Sequence, residues 1–195
     1  MEQYIEIPTP RKLFLVPIAE NNHGKSLILR DLVRIGTGEY TGQKRRALIL
    51  TLPTGQRVST LFFPSSISEQ VGRNGSLTIQ KALETLDKRW WTYDLIILPT
   101  HENVEDCQSM IRLGNRHGYD MIAVSFIKKE EFSIMHHDCL ELPWGERWTV
   151  RNYHLPSFTV DKIEGKRAQI TKKAKAQVMS LAAHLWARVG TAMLS

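Results

Sequence analysis

The chain has 195 residues, 42% of them hydrophobic, and carries a formal net charge of +6. That is enough apolar material for one full core, so a single domain over 1–195 is expected, and a disulfide scaffold is excluded because there are only two cysteines, Cys107 and Cys139. No run of about 18 apolar residues occurs, and Met1-Glu2-Gln3-Tyr4-Ile5-Glu6 lacks the basic start and apolar stretch of a signal peptide, so the expected location is cytoplasmic.

Residues 1–11 carry two prolines and read as an extended leading segment, with an edge strand at Tyr4-Ile5-Glu6-Ile7. Leu13, Phe14, Leu15, Val16 and Ile18 follow as an apolar run without a polar face, the pattern of a strand buried on both sides. The run stops at Ala19-Glu20-Asn21-Asn22-His23-Gly24-Lys25-Ser26. Leu27, Ile28, Leu29, Leu32, Val33 and Ile35 then recur at helical spacing, and Gly36-Thr37-Gly38 ends the helix. Strand, polar loop ending in Gly-Lys-Ser, helix: this is the setting in which backbone amides at a helix N-terminus hold a polyphosphate.

Further along, Ala47 to Leu52 and Arg57 to Phe63 are β-rich runs joined by Pro53-Thr54-Gly55-Gln56, a hairpin of which the second strand should continue into the central sheet. Leu77 to Trp91 has a helical apolar stripe. Tyr93 to Leu98 reads as a second buried strand, Val104 to His117 as a helix ended by Gly118, and Asp120 to Ile127 as a third buried strand. Glu130 to His136 reads as a short helix. Cys139 to Leu142 and Arg147 to Asn152 bracket Pro143-Trp144-Gly145-Glu146 as a hairpin, and residues 160–195 form a long C-terminal helix. Alternating strands and helices of this length predict an α/β fold, a three-layer sandwich with a mostly parallel central sheet and a β-hairpin insertion.

The loop carries a further resemblance. Ala19, Gly24, Lys25 and Ser26 match the Walker A pattern in the relaxed form that takes Ala first, and through it the chain resembles the P-loop NTPase superfamily. The resemblance implies that Ala19, Asn21, Asn22, His23, Gly24, Lys25, Ser26 and Leu27 hold ATP or GTP, that Lys25 reaches the β/γ-phosphates, and that Ser26 binds Mg²⁺. Such a site also needs a carboxylate near the metal and a group that orients the nucleophile. The usual apolar run ending in Asp is absent, and Asp94 precedes its strand, at the wrong edge. Glu102 and Glu69 are the candidates beside the metal, and His101 is the candidate for orienting a nucleophile or accepting a proton. Capping of a helix around Asn103 accounts equally well for the cluster at 101–103.

Two functions follow as expectations. One is Mg²⁺-dependent binding of a nucleoside triphosphate with hydrolysis or γ-phosphoryl transfer. The other is a nucleotide- or anion-binding module without turnover, engaging nucleic acid or a protein partner through basic surface such as Lys44-Arg45-Arg46 and the run from Lys162 to Lys175. The oligomeric state is open, a dimer included. Zinc is poorly supported: His136-His137-Asp138-Cys139 gathers ligand types, but neighbours in sequence point apart.

Overall fold

A computed structural model describes residues 10–19, 24–39, 46–66, 78–127, 134–151 and 172–195. Six strands form one sheet in the order β2-β3-β4-β1-β5-β6, where β1 is Leu13–Ile18, β2 Arg46–Thr51, β3 Arg57–Phe62, β4 Leu95–Ile97, β5 Asp120–Ile127 and β6 Glu146–Arg151. All neighbours are parallel except β2 and β3, which pair antiparallel as the expected hairpin. Five α-helices accompany the sheet among the described residues: α1 (Lys25–Thr37), α2 (Ile79–Leu86), α3 (Val104–Arg116), α4 (Ile134–Glu141) and α5 (Lys172–Leu194).

Two buried cores lie on opposite faces of the sheet, as the period of two along each strand requires. Leu13 and Leu15 of β1 join Ile28, Leu29, Leu32 and Val33 of α1 and Val178, Ala182, Leu185, Trp186 and Val189 of α5. Phe14, Val16 and Ile18 face the other way, toward Ala82 and Leu83 of α2, Cys107, Met110 and Ile111 of α3, and Cys139 of α4. The molecule is therefore three-layered, with β1 at its centre.

Three expectations need correction. The helix proposed for Leu77 to Trp91 spans only Ile79–Leu86, started by the Thr78 hydroxyl accepting from Lys81 N. It stops because the Asp87 carboxylate accepts locally from Arg89 N and Tyr93 Oη, side-chain bonds that compete with helical continuation; a single 3₁₀ turn, Trp90–Thr92, follows. The second hairpin does not exist, since residues 139–141 end α4 and β6 pairs parallel with β5. The short helix lies at Ile134–Glu141, later than expected; 130–133 are outside the described residues. The C-terminal helix is described from Lys172 onward, and its proposed start near 160 falls outside the described residues, as does the strand proposed at Tyr4–Ile7.

Candidate functional site at the carboxyl edge of the sheet

β1 ends at Ile18, while β5 beside it runs on to Ile127. Ile18 pairs with Ser125 of β5 on one side and forms a bridge to Thr100, just past β4, on the other. β1 thus runs past β4, whose last residue Ile97 pairs with Leu15, but stops short of β5, and this step in the carboxyl edge is a notch. Its helix, α1, leaves to one face, while α3 and α4, which follow β4 and β5, pack on the opposite face. Adjacent strands whose helices diverge make a topological switch point, the crevice where open α/β sheets bind ligands.

Lys25 occupies this crevice. Gly24 precedes α1 at φ 77°, ψ 3°, the left-handed conformation that glycine reaches without a Cβ penalty. Leu27 N and Ile28 N both donate to Gly24 O at 3.1 Å, so intrahelical bonding begins there and the amides before them lie at the helix mouth. The Lys25 side chain turns inward and is only 5% exposed. Its Nζ donates to Thr100 O at 2.8 Å and reaches Ala19 O at 3.5 Å. Burying an ammonium costs stability on the order of several kcal/mol before its bonds offset it, so a core with no other demand would place an apolar side chain here. Ser26 is half-buried on the first turn, and Leu27 packs at the edge of the core formed with α5. Asn21, Asn22, His23 and Glu69 lie outside the described residues.

The segment after β4 supplies the polar wall. Asn103 caps α3, its Oδ1 accepting from Asp106 N at 3.0 Å. Glu102, one residue earlier, accepts at Oε1 from His136 Nδ1 at 2.6 Å, with side chains 10% and 4% exposed. His136 Nε2 in turn lies 2.5 Å from Ser125 Oγ. Of the two expectations for residues 101–103 the capping one is seen, at Asn103, while Glu102 bonds His136, a partner the sequence does not point to. Burial lifts the Asp106 carboxyl above its ordinary range; the Thr100 hydroxyl opposes this rise, the neighbouring Glu105 charge adds to it, and nearby His101 opposes it slightly.

Other candidates are placed elsewhere. Asp94 lies at the opposite edge, as expected, where its Oδ2 accepts from Ser59 N at 2.8 Å and Ser59 Oγ at 2.6 Å. Arg46 begins β2 opposite Phe62, and Arg151 ends β6, so both reach the carboxyl edge, at its two extremes. Arg147 donates to the Leu140 and Leu142 carbonyls and braces the loop before β6. Arg112 bonds Ser109, and Arg116 closes α3 at the far edge. Trp90, Trp144, Trp148 and Trp186 are core residues. Among the described residues no group of three or more His, Cys, Asp or Glu side chains is placed to hold a metal ion, and no helix is long and apolar enough to cross a membrane. Cys107 and Cys139 are buried and free; a hydrogen bond shared with Cys139, then burial, pushes the Cys107 thiol well up.

Sequence reasoning missed Ser125 and His136 as members of one constellation. In the sequence His136 stands out only within the ligand-type run His136-His137-Asp138-Cys139. Ser125 sits inside the apolar run Asp120 to Ile127, and a lone polar residue in such a run was the one available signal. No protein-family model matches the chain, and comparison with curated proteins and with solved structures finds no match.

Proposed function

We propose that the notch binds a nucleoside triphosphate with Mg²⁺, the phosphates lying across the mouth of α1. The observation that carries this reading is the inward Lys25, whose ammonium is held at the ends of β1 and β4 directly after a left-handed glycine. Backbone amides and the positive end of α1 suit an anion, and Lys25 exchanges its carbonyl partners for phosphate oxygens. Ser26 fits a Mg²⁺ ion, since a hydroxyl on the first turn is a hard oxygen donor beside the phosphates. Glu102 has its Oε1 bonded to His136, which leaves Oε2 as the oxygen that could face a metal directly. A role for it through a bridging water is the one the sequence suggests.

Binding without turnover is the second reading, and one observation favours it. β3 delivers Phe63-Pro64-Ser65-Ser66 to the edge, with no carboxylate following directly on the strand. Titration calorimetry with ATP and GTP, with and without Mg²⁺, tests the site. Mg²⁺-dependent binding in the wild type, lost in Lys25→Ala, is the expected result. Absence of binding to either nucleotide would mean that Gly24-Lys25-Ser26 merely starts a helix. Release of inorganic phosphate from bound nucleotide separates turnover from retention.

A further inference from the structure

Ser125, His136 and Glu102 come from three elements, β5, α4 and the β4–α3 connection, yet they touch in line. An ionised carboxylate only accepts hydrogen bonds, so the ring proton belongs on His136 Nδ1, facing Glu102. Neutral Nε2 then accepts from the Ser125 hydroxyl at 2.5 Å. A hydroxyl on a base that a third group orients is the arrangement that activates a nucleophile. Ser125 shares its face of the sheet with Met121 and Ala123, the face on which α4 packs, and Thr100 follows Ile96 and Leu98 on that face. Ser125 and Thr100, both buried, flank Ile18 in one rung, and neighbouring strands are about 4.8 Å apart, so their backbones stand roughly 10 Å from each other on either side of Ile18, at the edge where the notch opens. Lys25 donates to Thr100 O and so brings a cation to the same opening.

We propose that Ser125 is an activated nucleophile, with His136 as its base and Glu102 holding the imidazole, and that it attacks a phosphoryl centre lodged in the notch. The cation selects the electrophile: an uncharged ester gains little from Lys25, whereas a phosphoryl group is held by it and its developing charge is stabilised. In the step, Ser125 Oγ forms a bond to phosphorus as the bond from phosphorus to the leaving oxygen breaks. The hydroxyl proton passes to His136 Nε2. With a nucleoside triphosphate as donor the leaving group is the nucleoside diphosphate, which takes that proton from His136 Nε2 as it departs and leaves the imidazole neutral. Water then attacks phosphorus with His136 Nε2 taking its proton, and phosphate departs as Ser125 regains a proton. The donor's identity rests on the nucleotide reading above; the nucleophile does not.

A fluorophosphonate carries an electrophilic phosphorus with fluoride as leaving group and needs no nucleotide site. Intact-protein mass spectrometry of the full chain after exposure to it, and in parallel to MgATP, reads the proposal directly. The expected result is one adduct with each reagent, mapped to Ser125 by peptide fragmentation and absent in Ser125→Ala. Glu102→Gln, folded by circular dichroism, should label at least tenfold more slowly. Lys25→Ala should keep the fluorophosphonate adduct and lose the phosphoserine. Folded wild type that gives no adduct with either reagent overturns the proposal, and if calorimetry shows that it still binds MgATP, the nucleotide reading survives that failure. A fluorophosphonate adduct with neither phosphoserine nor release of inorganic phosphate in protein that binds MgATP overturns the phosphoryl assignment. The same adduct in protein that binds no nucleotide upholds the nucleophile and removes the triphosphate as its donor.

Discussion

Asp106 illustrates how a single side chain can be set against its surroundings. It lies in the first turn of α3, where the helix dipole favours a negative charge. Burial nevertheless dominates and raises its pKa above the ordinary 3.8. The folded state therefore holds the proton more tightly than the unfolded chain does, so this group lowers stability as pH rises from about the unfolded value through the folded one. Asp106→Asn keeps the shape and removes the charge. It should raise the unfolding midpoint at neutral pH and leave it unchanged well below pH 3.8, where both states are protonated; urea titrations at the two pH values measure this. The backbone bond from Asp106 N to Asn103 is untouched by the change.

The contact of α1, β2 and α5 shows how closely elements approach. At Gly36 an added Cβ would lie 3.2 Å from Leu50 Cβ, Leu50 Cδ2 and Trp186 Cζ2. An alanine gains up to about 1 kcal/mol of helix propensity over glycine. Against that, overpacking costs about 1–3 kcal/mol when the neighbours cannot yield. They are poorly placed to yield here: Leu50 Cβ is fixed to a strand, and the Trp186 indole donates to Thr51 O at 3.2 Å. Gly36→Ala should therefore destabilise the fold by about 1 kcal/mol, read as a shift of the chemical denaturation midpoint at unchanged slope. α4 lies at the other extreme. It has eight residues and buries only His136 and Cys139, so its inward face carries an imidazole where a helical pattern would show an apolar residue. Hydrophobic periodicity counts apolar side chains, and α4 was invisible to it. That is why the stretch was misplaced and partly read as a hairpin, whereas β1, α1, β3, α3 and β5, which bury continuous apolar runs or stripes, were legible.

For the whole molecule, alternation along the chain was enough to read an α/β fold and a mostly parallel sheet, because β1, β4 and β5 are apolar on both faces. The sequence order of the strands says nothing about their spatial order, and the position of β1 between β4 and β5 became visible only in the structure. The candidate site divides the same way. Lys25 was legible because a local motif marks it. The Glu102–His136–Ser125 line was not, since its members are separated by 34 and 11 residues and meet only through tertiary packing.

The central placing of β1 also governs the chain's history on the ribosome. Leu13 must wait for Leu95 and Asp120, 82 and 107 residues later by subtraction of their numbers, which at synthesis rates of about 5–20 residues per second leaves this strand unpartnered for roughly 5–20 s. Leu13-Phe14-Leu15-Val16-Pro17-Ile18 is uncharged and apolar, the composition that stacks into intermolecular β-structure. Pro17 interrupts it. In the finished sheet the rungs toward β4 run through Leu13, Leu15 and Pro17, and the proline contributes only its carbonyl, to Thr100 N at 2.9 Å, giving up one donor. Replacing it with Val would restore that donor yet should increase the insoluble fraction of newly made protein, measured after pulse labelling. Pro17 thus protects the nascent chain from self-association at the expense of one rung in the native sheet.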